Sequence, residues 1–278
     1  MKESCFTVSV LQRASSKAKI HRTVHLITVT DSYPEEELKA AFKGQDVIIN
    51  CITSLDVSEQ YRFIDAAIEA GVRRYVPSEY GLDNLKPEAQ ALNMVFRDKG
   101  KVQEYLRSKT DVIEWMSVSC GMWIKWSMEH DFLGMHVREK RFVLWDEGEG
   151  YFSCTTEENT ALAVVNALSR HPEETKNKNL FLSDFAITQR QLLAEIERQT
   201  GEKFSVEKLD SYKLIEEKQA AFEAGDRYAT YALIETGFVT GRYGGHLEKS
   251  GEILNEELGL PRQNLQEVVA NALKSVLG

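Results

Sequence analysis

No apolar run in the sequence approaches the roughly 20 residues that a membrane helix needs. The opening residues, Met1-Lys2-Glu3-Ser4-Cys5, lack the apolar core of a secretory signal. Cysteine is scarce: Cys5, Cys51, Cys120 and Cys154 have no short paired spacing. That pattern fits reduced thiols in a cytoplasmic protein rather than a disulfide framework or a zinc site. The six histidines show no metal-ligand spacing, so no metal is expected. A Gly-x-Ser-x-Gly nucleophile elbow and a phosphate-cradling loop are both missing. Positive charge is in deficit, with Lys plus Arg at 34 against 43 for Asp plus Glu and a net charge of -9. A general nucleic-acid binder needs a basic surface, so that class is excluded. Low-complexity segments, repeats and Pro/Gly/Ser linkers are absent too. What remains is 278 residues at 42% hydrophobic and 28% charged, the balance of a globular enzyme with a sizeable core.

Short apolar runs alternate with helical stretches from the start. Residues 6–11 and 25–29 read as strands. Residues 33–42 read as a helix, with Pro34 near its start and acid in its first turn, where the helix dipole favours it. Gly44 stops that helix. Residues 46–52 form a continuous apolar run, which predicts a strand buried on both faces. A helix ending near Gly71 feeds a strand over 72–77. Another helix, through Val102 and Leu106, feeds a strand over 112–118. This alternation predicts parallel βαβ units and an α/β fold. Beyond Gly121 the rhythm loosens, with helices expected over 156–170, 189–201, 211–224 and 264–276. The expected architecture is a Rossmann-like parallel sheet over 1–121 and a smaller, mostly helical substrate lobe over 122–278, packed on the sheet.

Particular segments carry a resemblance. Residues 8–16, 43–48 and 64–72, the segment Tyr75-Val76-Pro77-Ser78-Glu79-Tyr80-Gly81, residues 171–177 and Tyr243-Gly244-Gly245-His246 together resemble the NmrA-like, isoflavone-reductase-like proteins, which are atypical short-chain dehydrogenases. The matches spread over nearly the whole chain, and the Pro-Ser-Glu-aromatic-Gly segment is the most specific. The resemblance implies a dinucleotide-binding domain and NADPH-dependent reduction of a small aromatic or polyketide-like secondary metabolite.

It also implies site residues. Arg13 lies just past a strand, where an Arg accommodates the 2′-phosphate of NADP. With Ser15 and Ser16 it would select NADP over NAD; otherwise it is a solvated loop cation. Cys51, Ile52 and Thr53 follow a strand at the carboxyl edge, where ligands sit in open α/β sheets. Their backbone would line the nucleotide, with the Cys51 side chain a buried small hydrophobe. Ser78 and Glu79 end the next strand on that edge and either face the nicotinamide or cap a turn. Lys99 holds the place of the family's lysine, which hydrogen-bonds the nicotinamide ribose or acts as an acid; the plain alternative is a solvent-facing helix lysine. The tyrosine that partners such a lysine in typical short-chain dehydrogenases would sit at Val95. Tyr105 and Lys109 have that mutual spacing, but at the far end of the helix, and read as coincidence. Tyr80, Met122, Trp123, Trp126 and His246 are substrate-side candidates; the tryptophans and Met122 equally suit a hydrophobic staple, and His246 a turn.

One departure stands out. The family opens with a strand, a glycine-rich loop and a helix, whereas here no glycine occurs before Gly44. Met1-Lys2-Glu3-Ser4-Cys5 aligns with the tail of that helix. The loop brings backbone N–H groups to the pyrophosphate, and the strand sits mid-sheet, so its loss leaves unpaired edges about 4.8 Å from an absent neighbour. Three resolutions are open: a truncated chain, direct re-pairing of the strands near residues 6 and 25 onto the strand at 46, or a homodimer whose partner covers the edge. Two further functions compete with the reductase. One is a non-catalytic dinucleotide-sensing regulator. The other is a cofactor-independent isomerase or cyclase using Lys99, Glu79 or His246 for acid–base work.

Overall fold

The structure, a computed structural model, describes residues 6–52 and 55–278. Thr53 and the opening pentapeptide with Cys5 lie outside the described residues. The first elements are β1 (Ser9–Arg13), β2 (His25–Val29), α1 (Glu35–Phe42), β3 (Val47–Ile49), α2 (Glu59–Glu69) and β4 (Arg74–Val76). Next come α3 (Pro87–Leu92), α4 (Met94–Arg107), β5 (Glu114–Ser119), α5 (Ile124–Glu129), β6 (Met135–His136), β7 (Arg141–Trp145) and β8 (Tyr151–Cys154). The rest are α6 (Glu157–Ser169), β9 (Lys178–Phe181), β10 (Phe185–Thr188), α7 (Gln189–Thr200), β11 (Ser205–Leu209), α8 (Ser211–Glu223), α9 (Ala229–Val239) and α10 (Leu265–Leu277). The fold is α/β, with parallel pairing of β3, β4 and β5 in the order β3-β4-β5-β9.

Two compact units divide the chain. One comprises Met1–Ser78, Val102–Met116 and Lys176–Lys178; the other comprises Glu79–Lys101, Ser117–Thr175 and Asn179–Gly278. Helix α4 and strands β5 and β9 run through the boundaries, so compactness does not cut the chain at residue 121. The functional division into 1–121 and 122–278 is taken up below as a proposal.

In the first unit, β1 pairs parallel with β2, Ser9 opposite His25 and Arg13 opposite Val29. Helix α1 buries Leu38, Ala41 and Phe42. It packs on α2, whose Phe63 ring meets Tyr33 edge-on at 4.8 Å. Arg74 is fully buried in β4, and its guanidinium is neutralised by Glu114 at 2.7 Å, whose other oxygen takes Lys176 at 3.1 Å. A buried charge is tolerated only with such pairing.

Two expectations fail in this unit. The strands β1 and β2 form their own two-stranded sheet and do not re-pair onto β3. The second is burial: β3 is an edge strand, and its Ile49 is 45% exposed instead of buried on both faces. The causes are linked. An apolar run reads as a doubly covered strand only if a neighbour lies on each side. Among the described residues β3 pairs with β4 alone, so its other edge is open.

The second unit mixes sheet and helix. Strands β8 and β10 pair antiparallel, and β7 lies between a parallel β11 and an antiparallel β6. Side-chain caps start its helices: Thr156 on α6, Thr188 with a reciprocal Gln191 on α7, Asp210 on α8 and Asn264 on α10. Around Phe142, Leu144, Phe152 and Ile196 a single apolar core forms. Among the described residues no helix is long and apolar enough to cross a membrane.

Candidate functional site

The candidate residues fall into two groups, one in each unit. In the first unit, β1 ends at Arg13 and the chain turns, with Ser16 N donating to Arg13 O at 3.0 Å and Ala14 N to Val29 O at 2.8 Å. Arg13 is exposed, and among the described residues it makes no ion pair. Ser15 is already engaged: its N–H donates to Asp31 Oδ1 at 3.0 Å. Half-buried Ser16 accepts from Ala18 N through Oγ at 3.3 Å. Sequence reasoning missed Asp31, although an acidic residue just past the end of a strand was a visible signal.

At the carboxyl end of β3 the chain turns on Asn50, which is buried; its Oδ1 accepts from Ile52 N at 2.8 Å and its Nδ2 donates to the Tyr75 hydroxyl at 2.9 Å. Cys51 is exposed, which corrects the reading of its side chain as a buried hydrophobe: it lies past the end of β3, an edge strand among the described residues. Ser78 spends its hydroxyl on Ile52 O at 2.9 Å, and its N–H takes Gln60 Oε1 at 2.9 Å. It thereby ties the ends of β3 and β4 together.

Tyr105 and Lys109, which share the catalytic spacing, are also in this unit. The Tyr105 hydroxyl donates to Asp65 Oδ1 at 2.5 Å, and Lys109 Nζ lies 5.1 Å above its ring. Hydrogen bonding to Asp65 pushes the phenol up to about 12, the wrong direction for a proton donor. The pair is a surface contact.

In the second unit the geometry centres on Lys99. Gly100, next to it in α4, has no room for a side chain: a Cβ would lie 2.6 Å from Asn84 O. The bare glycine lets the helix press on loop 79–84. Asn84 Nδ2 donates to the fully buried Glu79 at 2.6 Å, and Lys99 Nζ donates to Glu79 O at 2.7 Å. Burial lowers the Lys99 pKa, against the nearby Glu79 charge and Cys120, which raise it. Among the described residues no second acceptor meets this ammonium, so two of its protons remain available. Tyr80 follows Glu79 with φ at 33°, a left-handed conformation uncommon for a non-glycine residue and concentrated at functional sites.

The floor continues from the end of β5. Burial pushes the Cys120 thiol up to about 12, with Thr160 and the Lys99 charge acting against it; the Thr160 Oγ1 accepts from Trp123 Nε1 at 3.1 Å. Lys99, Glu79, Cys120 and Trp123 are thus neighbours, a grouping in which Cys120 and Thr160 were not expected. Met122 N donates to Ser153 O at 3.0 Å, and Ser153 N to Gly245 O at 2.9 Å, so Met122 and the loop bearing His246 flank β8. His246 stacks on Tyr151 with centroids 5.7 Å apart. Trp126 turns elsewhere, stacking on His130 at 4.4 Å and meeting Phe132 edge-on. Among the described residues no group of three or more His, Cys, Asp and Glu could hold a metal ion.

Known proteins can be compared with this geometry. The model of the NmrA-like family matches residues 2–260. Oxidoreductase aprR of Aspergillus flavus is 37% identical over 276 residues, 97% of this chain and 91% of its own. Among solved structures, an isoflavone reductase superposes with a TM-score of 0.71 at 18% identity, covering 95% of this chain and 91% of that one. A second, AtPrR2 with NADP+ and (+)pinoresinol, gives 0.65 at 16% identity, covering 90% and 82%. A family model over most of the chain and a relative at this identity and coverage have one consequence: the chain belongs to the NmrA-like family.

Proposed function

We propose that this chain is an NADPH-dependent reductase of a small aromatic or polyketide-like molecule. The observation that carries the reading is Lys99: a half-buried ammonium of lowered proton affinity, fixed by one main-chain carbonyl with two protons unclaimed. Relatives and neighbours named as oxidoreductases and reductases support it, including one structure holding NADP+. In this reading residues 1–121 serve the cofactor and 122–278 the substrate, although Glu79–Lys101 folds with the second unit.

The donor set fits the dinucleotide at two places. Arg13, exposed and without an ion pair among the described residues, with the Ser16 hydroxyl, suits a 2′-phosphate. Lys99 suits the nicotinamide ribose. When bound, NADPH supplies the electron pair and hydrogen of the reduction. Lys99 then orients the substrate or ribose oxygen and holds the proton that the reduced group takes up, which desolvation makes easier to release. Trp123 and Met122 offer apolar surface for a flat ring.

The same ammonium would also serve a second reading, cofactor-free isomerase or cyclase chemistry at Lys99. One experiment separates the two: calorimetric titration of the protein with NADPH and with NADH. Micromolar NADPH binding that weakens at least tenfold in Arg13→Ala is expected from loss of a charged phosphate contact. A folded sample giving no heat with either would overturn the reductase reading.

A further inference from the structure

The turn after β1 has a donor already directed at a carboxylate. Ser15 gives its N–H to Asp31 Oδ1 at 3.0 Å. Asp31 lies just past β2, as Arg13 ends β1, and Arg13 opposes Val29 in the ladder, so guanidinium and carboxylate share one end of the two-stranded sheet. Hydrogen bonding from Ser15, with Arg13 adding attraction, holds the Asp31 carboxyl below its ordinary range, so it is charged at neutral pH. The neighbouring Thr30 is fixed too, its N–H and hydroxyl both donating to Glu37 at 2.6 and 2.7 Å. The Asp31 carboxylate is therefore fixed at the turn rather than free to swing away.

A 2′-phosphate held by Arg13 would meet that charge. It would also find Ser15 already claimed by Asp31. We propose that Asp31 is a specificity-determining positioning residue of the dinucleotide site: it shapes the Arg13–Ser16 turn through Ser15 and opposes a 2′-phosphate there, restraining the preference for NADPH over NADH. The inference rests on the Arg13 reading above.

Asp31→Asn tests it, because asparagine keeps an acceptor for Ser15 and removes only the charge. The measurement is the Kd of NADPH and of NADH for wild type, D31N and Arg13→Ala, with thermal melts as the folding control. Repulsion between exposed charges several ångströms apart predicts that D31N binds NADPH roughly five- to tenfold more tightly. Its NADH affinity should change by less than about twofold, and the gain should shrink in high salt. A D31N protein whose two affinities move together, or not at all, while Arg13→Ala still loses NADPH selectively, overturns the role of Asp31 and leaves the Arg13 reading standing. If neither wild type nor D31N binds either dinucleotide, both readings fall. Should D31N melt early, Asp31→Ser provides a second neutral side chain at this exposed position, judged by the same ratio of affinities.

Discussion

Glu235 gives this protein a pH-dependent stability whose size follows from the structure. It sits in α9, a helix apolar on nearly all sides, and burial pushes its carboxyl from the ordinary 4.5 up to about 7. The group accepts from Leu133 N at 2.7 Å, with Gly134 next in sequence, and among the described residues no cation pairs with it. Those two residues belong to a loop with three left-handed positions, Asp131, Leu133 and Gly134, at φ of 52°, 56° and 78°. Unfolded, the carboxyl releases its proton near 4.5; folded, it keeps the proton until about 7. The stabilisation is fully present below the unfolded value and is lost as pH rises through the folded one. At about 1.36 kcal/mol per tenfold change in proton affinity, the loss amounts to about 3 kcal/mol. With roughly 2.1 cal/mol/K of unfolding entropy per residue, that corresponds to about 5 °C in Tm for a chain of this length. Glu235→Gln keeps an acceptor for the Leu133 N–H and cannot ionise. Urea denaturation of both proteins between pH 5 and pH 8 isolates the effect, because other titrating groups cancel in the difference. The variant should gain about 3 kcal/mol on wild type across that range. A difference that stays flat would refute the assignment of a buried, unpaired carboxylic acid.

Two more predictions follow from close contacts in the second unit. Lys99→Met, which removes the donor and the cost of burying a charge together, should lower turnover by about 10²- to 10⁴-fold. Its Tm should change little, because a lost charged hydrogen bond of about 1.5–3 kcal/mol is offset by relief of desolvation. Normal turnover in a folded Lys99→Met protein would remove Lys99 from the chemistry. Gly121→Ala should destabilise by more than about 3 kcal/mol, since a Cβ there would lie 2.0 Å from Ser153 O and the backbone holds φ at 64°; chemical denaturation reads this directly.

Sequence reading fared best where a local signal and the fold agree. The helices expected over 156–170, 189–201, 211–224 and 264–276 formed as α6, α7, α8 and α10, because each opens on a side-chain cap visible in the sequence. Helix α9 was not anticipated: it is apolar nearly all round and shows no stripe to read. The first strand slipped from 6–11 to Ser9–Arg13 because its register is set by the partner, Ser9 on His25.

The candidate site divides along the same line. Lys99 was legible as a family position, but not what makes it chemically useful: Gly100 lets α4 approach Asn84, Asn84 fixes Glu79, and the Glu79 carbonyl then orients the ammonium. Asp31 showed as an acid past a strand end, but its partner did not, for a related reason. It lies 16 positions from Ser15, and only the parallel pairing of β1 with β2 puts the two strand ends side by side. A parallel pair aligns the carboxyl ends of its strands, so chemistry gathered at that edge comes from residues far apart in the chain. Spacing can therefore nominate single members of such a site, and it takes the ladder to show which of them oppose one another. Arg13 and Asp31 are that case: each alone reads as a solvated loop charge, and the ladder puts both at one end of the two-stranded sheet.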